Sequence, residues 1–150
     1  MCDVYVATPD QKIIDIITNK GGKAILTSLD HQTGTVRVYE VFKDELKTEP
    51  SIIVNLQGDM PSIDPKAIKN LITYMNKEEC DIATLASAFS SEAELVDKNN
   101  VKEVVKEKLK ANNLGQEIDF FIISSNTYKN IYNHSGIYAF TNKAIERYVE

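Results

Sequence analysis

Residues 51–65 read SIIVNLQGDMPSIDP, and the fold is decided there. The first six, SIIVNL, are short, β-branched and almost wholly apolar, which predicts a strand buried on both faces of a parallel sheet rather than a half-exposed hairpin strand. Gln57-Gly58-Asp59 follows at the carboxyl end of that strand, where open α/β sheets place ligand crevices because loops and helix N-termini converge there. A carboxylate at that point suits a divalent metal held against phosphate oxygens, and Gly58 lets backbone approach a ligand closely. Gly-Asp is equally ordinary turn chemistry after a strand. Asp64-Pro65 predicts a helix start, with Asp64 as N-cap and Pro65 at the first helical position. Ile68, Leu71, Ile72 and Met75 recur at helical spacing and give that helix one apolar face.

Working outward toward the N-terminus, residues 3–10 (DVYVATPD) predict a strand. Residues 11–20, with Ile13, Ile14, Ile16 and Ile17, predict a short helix closed by Gly21-Gly22. Residues 23–27 predict a second strand, completing a β-α-β unit with a right-handed crossover. Residues 30–37 (DHQTGTVR) form a glycine turn entering a helix whose apolar positions are Val38, Val41, Phe42 and Leu46. Such a turn exposes unpaired amides that receive anions or base acceptors, and simple capping by Thr33 or Thr35 explains it as well. His31 has no carboxylate partner nearby in sequence and reads as a solvated loop residue.

Toward the C-terminus, residues 81–89 predict a buried strand. Ser90 or Ser91 caps a short helix through Val96, with Glu92 and Glu94 in its first turn. Residues 99–105 predict a strand on which Lys102 is solvated, and residues 106–116 a charged loop. Residues 120–125 (FFIISS) and 133–140 (NHSGIYAF) are further apolar stretches. Thr141 caps a last helix with Ala144, Ile145, Tyr148 and Val149 on one face.

With 150 residues, 43% hydrophobic and 26% charged, the chain has the balance of one soluble globular domain. A net charge of -5 with scattered basic residues argues against a nucleic-acid surface. Cys2 and Cys80 lack CxxC spacing, so neither a disulfide nor a zinc site is predicted. No apolar run approaches the roughly 18 residues a membrane span needs, and no signal peptide is evident, so the expected location is the cytoplasm.

Several of these segments carry a family resemblance. VNLQGDMPSIDP resembles the VNVQGDEP-type segment of the 3-deoxy-manno-octulosonate cytidylyltransferase (CMP-Kdo synthetase) family, DHQTGTVR resembles its DHQSGTxR loop, and HSGIYAF its HIGIYAF strand. Residues 4–9 are similar to its VYVATDS strand, with Pro9 where an aspartate is usual, and residues 99–105 to its NxVKVV strand. The resemblance implies a Rossmann-like, GT-A-like nucleotidyltransferase: an α/β fold of three layers around a mostly parallel sheet. It implies transfer of CMP from CTP to 3-deoxy-manno-octulosonate (Kdo), with loss of pyrophosphate, in lipopolysaccharide biosynthesis.

Carried over by residue, the resemblance makes Asp59 a magnesium ligand. It makes Gln32, Gly34, Thr35, Arg37 and Gln57 nucleotide-binding, and His134 and Tyr138 sugar-binding. No residue is a nucleophile, in keeping with direct transfer. Met60 and Val36 stand where acidic residues are usual, and Ser135 where an apolar one is. The family aims an arginine of a YFSR segment at the acidic sugar; residues 122–126 carry no basic residue, and Lys129 lies nearby without a motif. Family members open with a strand and a basic loop of the PARxxSxRLPGKPL type, and continue past the helix at Thr141 toward a second metal-binding aspartate; neither has a match here. The resemblance thus covers the middle of the family's enzyme, a homodimer, so the expected fold lacks the first strand and phosphate loop.

Three readings follow. The first is a cytidylyltransferase inactive by itself and active only if a second polypeptide supplies the missing N-terminal part or if the sequence is incomplete. The second is a non-catalytic remnant of a degraded or split gene, at most a weak sugar-nucleotide binder. The third, ranked last, is a small α/β binding domain that leaves the motif matches as coincidence.

Overall fold

The computed structural model describes residues 3–45, 50–78, 80–104 and 131–150. The apolar stretch at 120–125, together with Lys129, Leu46 and the 106–116 loop, lies outside them.

The first unit follows its sequence signals closely. Strand β1 (Tyr5–Thr8) leads into helix α1 (Gln11–Asn19) and then strand β2 (Lys23–Leu26), which pairs with β1 in parallel. Asp10 caps α1 by accepting the Lys12 amide at 2.8 Å. At the other end Gly21 adopts φ 79, and the amides of Gly21 and Gly22 donate to Thr18 and Ile17 carbonyls at 2.9 Å each. That is the paired closure a left-handed residue after the helix makes possible, and only glycine adopts it without strain.

Helix α2 (Gly34–Glu40) begins inside the DHQTGTVR segment rather than after it, and continues as a π-helical turn over Val41–Glu45. Thr33 is the N-cap, its hydroxyl accepting the Val36 amide at 3.3 Å.

Strand β3 (Ile52–Leu56) and helix α3 (Pro65–Glu78) realise the reading of the central stretch. The Asp64 carboxylate accepts the Lys66 amide at 2.8 Å, as an N-cap should. Ala67, Leu71 and Met75 are buried, and burial of Leu71 and Met75 contributes about 1.5–3 kcal/mol each. Strand β4 (Ile82–Ser87), helix α4 (Glu92–Val96) capped by Ser91, and strand β5 (Lys102–Val104) follow. Strand β6 (Ile131–Thr141) then feeds helix α5 (Asn142–Val149), capped by Thr141.

The main sheet differs from the parallel neighbourhood expected around β3. Among the described residues β1 and β2 make the parallel pairing, whereas β3, β4 and β5 all pair antiparallel with β6. Strands β3 and β4 do run parallel to each other, joined through α3, but β6 is inserted between them. An apolar β-branched run reports burial of both its faces; it carries no information on the direction of its neighbour.

Both faces of this sheet are covered, giving three layers. Ala67, Leu71 and Met75 of α3 pack on Ala83, Leu85, Ile137 and Ala139. On the opposite face Phe42, Ala144 and Ile145 pack on Ile53 and Phe140, joined by Val38, Tyr39 and Tyr138. Phe140, Leu71, Ile137 and Ile145 are fully buried. Among the described residues, no helix is long and apolar enough to cross a membrane.

Candidate functional site

The site forms along one edge of β6. Strand β4 pairs with Asn133 to Phe140 on one edge, so β3, paired with Ile137 to Thr141, and β5, paired with Ile131 to Asn133, share the other. Between the end of β3 and the start of β5 the residues His134, Ser135 and Gly136 are left, bounded by the Gln57 amide donating to the Gly136 carbonyl at 3.4 Å and the His134 amide donating to the Val101 carbonyl at 2.9 Å.

At that point β6 is irregular. Thr84 faces Tyr138 but Leu85 faces Ser135, so Gly136 and Ile137 have no counterpart on β4. The Thr84 hydroxyl fills the gap, donating to the Ile137 carbonyl at 2.7 Å. Four residues along a regular strand span about 13 Å. Here the rings of His134 and Tyr138 lie 5.1 Å apart by centroid, because a bulge bends the strand and re-aims its side chains. The Tyr138 hydroxyl and His134 Nε2 are 2.8 Å apart. His134 Nδ1 is bonded to Glu103 Oε1. Both ring nitrogens of His134 are therefore engaged within the protein. Burial, then the charge of Glu103, pushes the Tyr138 phenol above its ordinary value.

The end of β3 joins this cluster to α2. Asn55, buried and opposite Tyr138, donates from Nδ2 to the hydroxyl of buried Thr35 at 3.2 Å. A Cβ on Gly34 would come within 3.8 Å of the same amide, so the start of α2 sits close over β3. Gln57 lies across Gly136: a Cβ there would stand 2.7 Å from Gln57 Oε1. Glycine at 136 is what allows the Gln57 side chain its place. Thus Gly34, Thr35, Gln57, His134 and Tyr138 are gathered around the carboxyl end of β3.

The other predicted residues are placed differently. Asp59 is exposed in the turn after β3, where Met60 donates to the Gln57 carbonyl at 3.3 Å, and a Cβ on Gly58 would meet nothing within 4 Å. Among the described residues no three acidic, histidine or cysteine side chains group as a metal cluster. A single exposed carboxylate beside an open backbone still suits magnesium, which takes one or two carboxylates plus substrate phosphates and water. Gln32 is exposed, with Nε2 donating to the Asp30 carbonyl at 3.2 Å. Arg37 turns back to the end of β2, donating to the Thr27 hydroxyl at 2.5 Å and the Ser28 carbonyl at 2.8 Å.

His31 is not the solvated residue its sequence suggested: Nε2 is bonded to Glu40 Oε2, and Glu40 also accepts the Ser28 amide at 3.2 Å. The partner lies nine residues on, across the start of α2, out of reach of a local reading. The bond from His31, then that from the Ser28 amide, holds the Glu40 carboxyl below the usual range against the opposing effect of burial. A depressed carboxylate stabilises the fold above its unfolded pKa, and the contribution is lost as pH falls through the folded value. The denaturant midpoint of the wild type is accordingly expected to exceed that of Glu40→Gln at neutral pH, with the gap closing as pH falls below the ordinary glutamate range. A gap independent of pH would contradict this.

Sequence reasoning also missed Asn55, Thr84 and Glu103. For Glu103 the signal was a carboxylate within the apolar run VKEVV; for Asn55, an amide inside IIVNL.

Known proteins of similar sequence and structure agree on one family. The family model described as Cytidylyltransferase matches residues 1–150. An 8-amino-3,8-dideoxy-manno-octulosonate cytidylyltransferase of Shewanella halifaxensis is 34% identical over 150 residues, 99% of this chain and 61% of its own length. A 3-deoxy-manno-octulosonate cytidylyltransferase of Brucella anthropi is 34% identical over 97% of this chain and 59% of its own. A CMP:2-keto-3-deoxy-manno-octonic acid synthetase, solved in complex with CTP, matches with TM-score 0.75 and 34% identity over 99% of this chain and 60% of that one. The chain therefore spans about 60% of the length of these relatives. The Rossmann-like nucleotidyltransferase fold read from the motifs is the fold observed.

Proposed function

We propose, because the chain belongs to the cytidylyltransferase family, that its site binds CTP against the start of α2 and the turn after β3, and an octulosonate sugar acid against β6. The reaction is transfer of CMP to the sugar's anomeric hydroxyl, which attacks the α-phosphate in line as pyrophosphate leaves. Such chemistry depends on positioning and on neutralising phosphate charge rather than on a protein nucleophile. Asp59 would hold magnesium, which when bound neutralises phosphate charge and orients the leaving group. Gln57, held over Gly136, orients the nucleotide, and the start of α2, fixed through Thr35 and Asn55, receives base or ribose. Tyr138 offers its hydroxyl to the sugar. We place this reaction in the cytoplasm, and complete turnover in an assembly in which a further basic loop neutralises the triphosphate.

The observation that carries the reading is the gathering of Thr35, Gln57, His134 and Tyr138, four motif residues up to 103 positions apart, at the carboxyl end of one strand. The test is calorimetric titration of the folded chain with CTP, with and without magnesium. Saturable binding that needs magnesium is expected. No binding by a chain shown to be folded by near-UV circular dichroism would leave the inert-remnant reading standing instead.

A further inference from the structure

Glu103 takes no part in the proposed reaction, yet it is among the most buried polar side chains of the described residues. Its side chain is 5% exposed and that of His134 10%. One of its oxygens goes to His134 Nδ1; the other, Oε2, is buried and has no hydrogen-bond partner among the described residues. Taking a carboxylate out of water costs several kcal/mol, and apolar replacements of similar volume often pack as well or better. Packing therefore does not account for a glutamate here, but the bond to His134 does.

With His134 neutral, as at slightly alkaline pH, and Glu103 ionised, the donor inventory sets the direction of the whole chain of bonds. An ionised carboxylate only accepts, so Nδ1 must carry the proton of the neutral imidazole. Nε2 is left as an acceptor, and its partner at 2.8 Å, the Tyr138 hydroxyl, must donate to it. The phenol oxygen is then left with lone pairs toward the site. We propose that Glu103 is a positioning residue: it holds His134 in the Nδ1–H tautomer, and so makes the Tyr138 hydroxyl an acceptor for a ligand group that donates, a sugar hydroxyl rather than a carboxylate or phosphate. The ligand class rests on the proposed function; the tautomer does not. Without Glu103 the ring reverts to Nε2–H, Nε2 donates to the phenol oxygen, and the hydroxyl proton swings outward.

The chain has two histidines, so imidazole nitrogen NMR reads each one, with His31→Asn assigning the pair. His31 bonds its carboxylate through Nε2 and His134 through Nδ1, so opposite tautomers are expected in the wild type at slightly alkaline pH. Glu103→Leu is expected to move His134 to Nε2–H, while Glu103→Gln, whose amide oxygen still accepts from Nδ1, preserves the wild-type pattern. A wild-type His134 protonated at Nε2, or one unmoved in Glu103→Leu, overturns the proposal. In parallel, Kdo titrated in the presence of CTP and magnesium is expected to bind about tenfold more weakly to Glu103→Leu and Tyr138→Phe, and normally to Glu103→Gln. Equal Kdo affinity in wild type and Tyr138→Phe overturns the acceptor role. Failure of the wild type to bind Kdo counts against the proposed function, and the nitrogen spectra still decide the part played by Glu103.

Discussion

Asp59→Ala is expected to remove magnesium-dependent CTP binding while leaving the free energy of unfolding within about 0.5 kcal/mol of wild type. The side chain is exposed, in a turn whose closing bond runs between backbone atoms of Met60 and Gln57, so its loss costs the fold little. If it is the protein's contribution to a magnesium ion, its removal leaves the triphosphate beside an acidic chain, of net charge -5, without the cation that offsets the repulsion. Titration with CTP at fixed magnesium, beside a urea melt, separates the two effects. Undiminished magnesium-dependent binding in the variant would show that the metal is held elsewhere.

The second large effect is on stability. His134→Leu strips Glu103 of its partner in a nearly dry site, and leaving one member of a buried charged or polar pair alone costs about 3–5 kcal/mol. The double variant Glu103→Leu/His134→Leu removes the orphan as well, and is expected to recover most of that loss. Urea unfolding of the two variants measures the difference directly. A double variant no more stable than His134→Leu would show that the cost is a packing defect rather than an abandoned carboxylate.

Such pairs mark where reading the sequence stops. The Asp10, Thr33, Ser91 and Thr141 caps, the Gly21-Gly22 closure of α1 and the buried face of α3 all involve residues within four or five positions of one another. Local patterns therefore disclose such features: Thr141 outright, Thr33 and Ser91 each beside a neighbour as alternative, whereas Asp10 read only as the end of the first strand. The motif residues on β3, α2 and β6 were likewise visible as types at fixed spacing, and Gly136 as the glycine of HSGIYAF. What Gly136 accommodates, the Gln57 side chain, was not visible, because the two meet only when β3 and β6 pair.

Glu103 and His134 are separated by 31 positions, Asn55 and Thr35 by 20, Thr84 and Ile137 by 53. No period of 2 or 3.6 relates residues so far apart. The same reason explains the antiparallel neighbour of β3. Hydrophobic pattern encodes how deeply a strand is buried, whereas its partner's direction depends on the path the chain takes to return.

By itself, then, the sequence determined the order of strands and helices, most of their capping candidates, the apolar faces of the helices, and the family whose motifs it carries. Tertiary structure alone decided that β6 lies between β3 and β4, that a bulge brings His134 against Tyr138, and that Glu103 and Glu40 each take a histidine. A buried carboxylate is tolerated only where a donor is delivered to it, and that delivery is made by strand pairing and helix packing, not by neighbours in the chain.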